Sequence, residues 1–281
     1  MKMVGGMSYD SRRVGGPGIA GCSYGTSRLV FRGPRRNLEG RYIAALGGTE
    51  TFGKFIARPY PALVETATGW RMVNLGCPQA GPDAFLRDPV MAEVCAGATA
   101  HVVQVMGAAS LSNPYYAVHP RRNDRFLGPS ADLCALYPEL DFAEFSFIRH
   151  VLGALAECGP RRFDRVVAEL RRTWVARMKA LLAALPAPAV LLWMSDRAPD
   201  SAGSTTLGRD PLFVDATMLE ALRPDATEVI TVVCPPSSRD ESGQGLICDP
   251  LDRPAARHLL GPAAHEVAAA ALAPIIEAVP A

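Results

Sequence analysis

A small hydroxyl residue stands between glycines within residues 46–53, where Thr49 follows Gly47 and Gly48. The apolar run over residues 42–46 predicts a buried strand, and the residues after Thr49 can form a helix. A turn from a strand into a helix needs small residues, and the backbone N–H groups at a helix start favour negative charge. Thr49 is therefore a candidate nucleophile or ligand-holding hydroxyl. The alternative is an ordinary helix N-cap.

A histidine near the C-terminus could supply the base that a hydroxyl nucleophile needs. His265 lies near the start of an Ala-rich segment that predicts the last helix, from which it can reach the carboxyl end of the first strand. Such a base also needs a carboxylate that fixes its tautomer. Three carboxylates near it in sequence leave this role open: Asp249, Asp252 and Glu266. The alternative for His265 is a solvent-facing residue at the beginning of a helix.

Charged residues are concentrated in one short segment of this otherwise apolar chain, the 119–125 cluster. Its polar members are His119, Arg121, Arg122, Asn123, Asp124 and Arg125, and the aromatic pair Tyr115 and Tyr116 precedes them. An arginine fork binds carboxylate, phosphate or sulfate through two parallel hydrogen bonds. The cluster therefore predicts a site for an anionic or sugar ligand. The alternative is a solvated loop with local ion pairs.

Two further apolar runs end in turns. The first turn contains Asn74, Gly76 and Gln79, and the second closes residues 101–110 at Ser110. Taken in chain order with the turn at Thr49 and the late histidine, these segments resemble the blocks of the SGNH (GDSL-type) hydrolases. Those blocks are a Gly-Asp-Ser turn, an Asn-x-Gly turn, a strand that ends in Gly and Asn, and a late Asp-x-x-His.

The resemblance implies a three-layer α/β/α sandwich with a five-stranded parallel sheet in the flavodoxin-like order 2-1-3-4-5. It also implies that Thr49 acts as nucleophile and His265 as base. Donors to the oxyanion would be Gly48, Gln79, Ser110 and Asn113. The chain departs from the family pattern where Thr49 replaces Ser, Gly48 replaces Asp, and Pro262 replaces the Asp before the histidine.

A second resemblance covers most of residues 24–195. Residues 24–28, residues 31–34 and residues 118–126 look like an uncharacterised bacterial family of unknown function. This resemblance implies no known activity.

Composition narrows the classes of function. The 281 residues are 49% apolar and carry a net charge of +1, which does not favour nucleic acid as a partner. The seven cysteines show no CxxC spacing, so we expect buried free thiols rather than a zinc site or disulfides. No apolar run reaches the ~20 residues of a membrane span, and the first residues lack the apolar core of a signal peptide. We therefore expect a bacterial cytoplasmic protein that needs no cofactor or metal.

Alternating elements must position these residues. Short apolar runs predict parallel strands near residues 42–46, 71–75, 101–106, 189–194 and 228–233. Amphipathic patterns predict helices over residues 83–97, 141–158, 163–185, 214–222 and 262–279. We expect one α/β domain over residues 21–281, with an inserted helical and loop segment at about 111–160 above the carboxyl ends of the strands, after an irregular segment 1–20. Two polar loops, 195–211 and 234–257, are expected at the same edge.

Three functions remain open. The first is an esterase or acyltransferase of the SGNH kind that acts on an ester or O-acyl group of a small or carbohydrate-like anionic substrate. The second is a catalytically impaired binding protein for an anionic glycan or metabolite. The third is a sulfuryl or phosphoryl transferase that uses Arg28, Arg32 and the 119–125 cluster, and it ranks last because the chain has no Walker-type loop.

Overall fold

A computed structural model describes residues 16–199, 207–234 and 245–280. Its strands in chain order are β1 (Gly21–Cys22), β2 (Phe31–Arg32), β3 (Ile43–Gly47), β4 (Met72–Gly76), β5 (Ala100–Gln104), β6 (Tyr116–His119), β7 (Arg122–Pro129), β8 (Ala189–Ser195) and β9 (Glu228–Val233). Its α-helices are α1 (Thr49–Phe52), α2 (Tyr60–Thr68), α3 (Pro82–Leu86), α4 (Met91–Ala96), α5 (Ala131–Leu136), α6 (Ile148–Cys158), α7 (Pro160–Ala183), α8 (Ala216–Glu220), α9 (Arg253–Ala256) and α10 (Pro262–Glu277).

The central sheet confirms the predicted fold class. It has five parallel strands in the order β4-β3-β5-β8-β9, which is the order 2-1-3-4-5 along the chain. Successive residues of β3 alternate between the two faces, so Ala44 and Leu46 enter one core while Ile43 and Ala45 enter the other. Both faces are buried, which explains the nearly continuous apolar runs of the strands.

Long amphipathic helices cover the two faces. On one face, α7 buries a stripe that includes Leu170 and Trp174, and the Trp174 indole N–H donates to the Met106 carbonyl at 2.8 Å. On the other face, α2 and α10 pack together over the second core. Among the described helices, none is long and apolar enough to cross a membrane.

The segment between β5 and α7 differs from the expectation of a loop with one helix. Strands β6 and β7 pair as an antiparallel hairpin, which places the 119–125 cluster on a β-hairpin. The helix predicted over residues 141–158 is instead a 3-10 turn at Phe142–Glu144 followed by α6. Alternation of apolar Tyr116 and Val118 with outward residues could have revealed β6, but the four-residue strand is too short for a clear pattern.

Other boundaries also differ from the sequence pattern. The helix predicted over residues 83–97 is divided into α3 and α4. Helix α2 was not predicted, because it is short, has a proline in its first turn and has only a weak apolar pattern. Residues 1–15 of the predicted irregular segment lie outside the described residues, as do 200–206 and 235–244 of the two predicted polar loops.

Candidate functional site

Thr49 lies at the carboxyl edge of the sheet, where β3 turns into the one-turn helix α1. Gly48 occupies the N-cap position and Thr49 is the first helical residue, so its hydroxyl is not used as an N-cap. Thr49 Oγ1 instead accepts a hydrogen bond from the Gln79 backbone N–H at 3.1 Å, and this contact lies at the surface. The structure therefore brings together two of the predicted site residues, a hydroxyl and a backbone donor.

Gln79 adopts a backbone conformation that normally favours glycine. Its φ is +61°, in the left-handed region, where a non-glycine residue costs about 1 kcal/mol or more. The resemblance to the SGNH hydrolases places a glycine of the oxyanion hole at this position. Here a glutamine occupies the position, and its backbone adopts the left-handed conformation that favours glycine. Strain of this kind is concentrated at functional sites, because the surrounding structure must enforce it.

Two glycines allow α1 to lie directly on the strand ends. A Cβ on Gly76 would stand 2.1 Å from the Phe52 backbone nitrogen, and a Cβ on Gly47 would stand 2.1 Å from Thr51 Oγ1. Both distances are far below van der Waals contact. These glycines therefore set how closely the Thr49 turn approaches the sheet.

The Gly48 N–H, predicted as an oxyanion donor, is already occupied. It donates to the side-chain oxygen of Gln104 at 3.1 Å in a buried contact beneath the turn. An amide that is held by a buried acceptor is not available to a developing charge on the substrate, so the prediction for Gly48 is corrected.

Asn113 and Ser110 stabilise the loop after β5. The Asn113 amide donates to the Leu111 carbonyl at 3.1 Å, and its oxygen accepts from the N–H groups of Tyr115 and Tyr116 at 2.9 and 3.3 Å. The amide oxygen and one amide N–H are thus used within its own turn, and the oxyanion role of Asn113 stays a prediction. The half-buried Ser110 packs its carbonyl against the backbone at Gly81, and its hydroxyl role stays a prediction.

His265 is fully buried between α10 and α2. Its Nδ1 accepts the Tyr60 backbone N–H at 3.1 Å. Burial, together with the charge of Arg32, lowers the pKa of His265 to about 3, so the ring is neutral at pH 7. A neutral ring that accepts at Nδ1 carries its proton on Nε2, which lies 4.0 Å from Glu50 Oε2.

This geometry does not support His265 as the base for Thr49. Within the described residues, Thr49 Oγ1 and His265 share no hydrogen bond, and the proton on Nε2 makes that nitrogen a donor. His265 instead holds α2 against α10 and faces the carboxylate of Glu50. Glu266, one of the three carboxylates predicted as partners of His265, is exposed. The carboxylate that His265 faces is Glu50, which the sequence did not suggest.

A second histidine lies in the loop that contacts the Thr49 turn. His258 is exposed between α9 and α10, two residues before Leu260. The Leu260 N–H lies 3.5 Å from Glu50 Oε1, so this loop reaches the residue directly after Thr49. His258 was not among the site residues predicted from the sequence, although it precedes the last helix.

Arg32 fixes the segment that leaves α1. Its guanidinium donates to four backbone carbonyls at 2.8–3.1 Å, those of Phe52, Gly53, Ile56 and Ala57. Burial lowers the pKa of this guanidinium from its ordinary value. Four carbonyl partners use the fork for folding, so Arg32 does not bind an anion as the transferase hypothesis required.

The 119–125 cluster does not form one ligand site. His119 Nδ1 accepts the N–H groups of Arg121 and Arg122 at 3.2 Å each, and both arginine side chains are exposed at the hairpin tip. Arg125 lies on another part of β7, with its guanidinium 3.9 Å from the ring centre of Phe147. Arg125 is therefore separated from the other two by its stacking on Phe147, while a ligand contact through Arg121 and Arg122 stays a prediction.

Asn123 joins this hairpin to the turn that carries Gln79. The fully buried amide accepts the Gly81 N–H at 2.8 Å through Oδ1 and donates to the His119 carbonyl at 2.9 Å. Asn123 is thus a structural link rather than a ligand contact. It places the exposed tip near the carboxyl edge of β4.

In the part of the chain that the structure describes, no group of three or more His, Cys, Asp or Glu side chains is arranged to hold a metal ion.

Among solved structures, the chain is similar to the lipase Lip_vut3 from a goat rumen metagenome, at 11% identity and a TM-score of 0.43, over 85% of this chain and 98% of that chain. No curated protein matches. Residues 7–280 match the domain of unknown function DUF6473, and the chain belongs to that family.

Proposed function

We propose that this chain is an esterase or acyltransferase in which Thr49 is the nucleophile. The observation that carries the proposal is the contact between Thr49 Oγ1 and the Gln79 N–H at 3.1 Å, at the carboxyl edge of a parallel sheet. Open α/β sheets bind their ligands at this edge. The left-handed Gln79 supports the proposal, because it places a backbone donor beside the reacting hydroxyl, from which the donor can turn to the developing oxyanion.

The reaction would proceed in two steps, in which Thr49 is first acylated and the acyl group is then released or transferred. The Thr49 oxygen attacks the ester carbonyl carbon and its proton passes to a base. As the Thr49 oxygen bonds to carbon, the Gln79 N–H shifts from that oxygen to the carbonyl oxygen and stabilises the oxyanion. When the carbon–oxygen bond to the alcohol breaks, the base returns the proton to the departing alcohol. Water, or the hydroxyl of an acceptor, then attacks the acyl-threonine by the same route and releases the acid or the new ester.

We assign the base to His258 rather than to His265. His258 is exposed, and the loop that carries it touches Glu50 through the Leu260 N–H. In this assignment the Thr49 proton passes to the exposed ring of His258, whereas the ring of His265 presents a protonated Nε2. Glu50, the residue after Thr49, is the carboxylate that both the loop and His265 face.

The substrate would be small and anionic. A threonine carries a methyl group that stiffens the side chain and narrows the approach to its oxygen, which favours short acyl groups such as acetyl. Arg121 and Arg122 are exposed on a hairpin that Asn123 ties to the Gln79 turn, so they remain the candidates to bind an acidic part of the substrate. An O-acetylated acidic sugar combines these two features.

The test is hydrolysis of 4-nitrophenyl acetate by the parent and by variants at Thr49. T49A should abolish turnover, and T49S should retain or raise it because serine keeps the oxygen and removes the methyl group. T217A changes an exposed threonine on α8 and is the matched control, with turnover expected to equal the parent. Loss of activity in H258A, with activity kept in H265N, supports His258 as the base.

The binding-protein alternative has one observation in its favour. In the described residues, Thr49 Oγ1 has no hydrogen-bonded base, and its partner is the Gln79 N–H. If the parent shows no turnover above buffer and T49A binds acidic sugars in calorimetry as tightly as the parent does, the esterase proposal is overturned and this alternative replaces it.

A further inference from the structure

One buried side chain holds the turn that carries Thr49. Gln104, the last residue of β5, is 6% exposed, and its Oε1 accepts three hydrogen bonds. The donors are the Gly48 N–H at 3.1 Å, the Thr51 N–H at 3.1 Å and the Thr51 hydroxyl at 2.7 Å. Gly48 directly precedes Thr49 and Thr51 lies two residues after it, so a single oxygen atom fixes the backbone on both sides of Thr49.

The Gly48 and Thr51 amides belong to the free end of a helix. The first N–H groups of a helix have no partner within it, and an unsatisfied buried donor costs roughly 1–3 kcal/mol. The helix α1 has no side-chain N-cap of its own, since Gly48 holds that position. Gln104 therefore supplies from a neighbouring strand the acceptor that an N-cap side chain would otherwise provide.

A second amide completes the attachment of α1. The Asn74 side chain donates to the Thr51 carbonyl at 2.7 Å and accepts the Gly76 N–H at 2.8 Å. The turn is thus joined to β4 by Asn74 and to β5 by Gln104. Gln79 follows β4. The attachments made by Asn74 and by Gln104 therefore both influence the distance between the Thr49 hydroxyl and the Gln79 N–H.

We propose that Gln104 is the positioning residue for the Thr49 hydroxyl, an inference that rests on the proposed function. By capping α1 from β5, it sets the direction of the Thr49 side chain toward the Gln79 N–H. Gln104 does not touch the substrate. Its removal should misplace the nucleophile while leaving the substrate contacts in place, so it should lower kcat more than it changes KM.

The hydrogen bonds continue from this point into the helical layer. The Thr51 hydroxyl lies 3.1 Å from the Tyr60 hydroxyl, and the Tyr60 N–H donates to His265 Nδ1. Gln104, α1, α2 and α10 are therefore joined by one buried polar chain. His265 lies at the far end of this chain, where it accepts the Tyr60 N–H.

The experiment compares Q104L, Q104E and V102A in the full chain. Q104L removes the acceptor, Q104E keeps a carboxyl oxygen that can accept the same donors, and V102A truncates a fully buried residue of the same strand that makes no hydrogen bond to α1. We expect Q104L to lower kcat by roughly 10- to 100-fold at a nearly unchanged KM, as small misplacements of a nucleophile do. Q104E should recover most of this loss, and V102A should lower the melting temperature with kcat close to the parent.

Hydrogen–deuterium exchange of the peptide covering residues 46–53 separates the two proposals. Faster exchange in Q104L, but not in V102A, is the expected result and does not depend on activity. If the parent shows no Thr49-dependent turnover, the proposed function fails even when exchange responds. If turnover depends on Thr49, but Q104L matches V102A in kcat or in exchange, the positioning role of Gln104 is overturned.

Discussion

His265 should make the folded protein sensitive to mild acid. Its pKa in the folded protein is about 3, because the ring is fully buried and lies near the charge of Arg32, whereas a histidine in an unfolded chain titrates near pH ~6.5. Between these two values the unfolded chain binds a proton that the folded protein does not bind. The stabilisation is therefore complete above about pH 6.5 and is lost progressively as the pH falls toward 3.

The size of the effect follows from the two pKa values. Each pH unit inside this window costs up to about 1.4 kcal/mol per proton, and integration from pH 7 to pH 5 gives a loss of about 2 kcal/mol from His265. This figure depends mainly on the unfolded value, because a folded pKa one unit higher would change it by only ~0.1 kcal/mol.

Urea unfolding at pH 5, 6 and 7 measures this dependence in the parent and in H265N. Asparagine can accept the Tyr60 N–H in place of Nδ1 but does not titrate, so H265N should be less stable at pH 7 and should lose about 2 kcal/mol less than the parent between pH 7 and pH 5. H150N is the matched control, because His150 is exposed on α6 and meets water in both states. Parallel pH curves for the parent and H265N would refute the assignment of a buried neutral imidazole.

Three further predictions concern packing around the site. G76A should destabilise the protein by about 1–3 kcal/mol in urea unfolding, because the new Cβ would meet α1, whereas G128A, at a position with nothing within 4 Å, should be close to neutral; equal effects would contradict the close approach of α1. R32M should lower stability by about 3 kcal/mol or more, and R32K should recover little because it lacks the planar fork; full recovery by lysine would exclude the four-carbonyl clamp. R125A should cost about 0.5–2 kcal/mol of unfolding free energy while R121A costs less than about 0.5, and the reverse order would show that the stacked arginine is misassigned.

The sequence predicted the sheet well because burial on both faces leaves a strong signal. The run over residues 42–46 is apolar at every position, and β3 is indeed fully buried. Thr49 was identified for a similar reason, since a hydroxyl next to two glycines after a buried strand has few local explanations. Gln79, the partner of Thr49, was identified through a family resemblance. Its backbone angle φ of +61° shows why a glycine is favoured at this position.

The contacts of the site could not be predicted because they depend on tertiary neighbours. Gln104 stands inside an apolar strand, where nothing in the local pattern indicates that its oxygen would cap a helix 53–56 residues earlier in the chain. His265 was recognised as a residue of interest, but the tautomer it adopts depends on the N–H of Tyr60, which lies on the unpredicted helix α2. The 119–125 cluster was divided by an irregular β-hairpin that the sequence did not reveal.

The central claim is that the Thr49 oxygen forms a covalent bond with an activated acyl or phosphonyl group. The most direct measurement is intact-mass and peptide mass spectrometry after treatment with a small alkyl fluorophosphonate, applied to the parent, T49S, T49A and T217A. We expect one adduct per chain in the parent, T49S and T217A, located on the peptide that contains Thr49, and no adduct in T49A. An unmodified Thr49 in the parent under conditions that fully modify T49S, or an adduct that persists in T49A, would contradict the account.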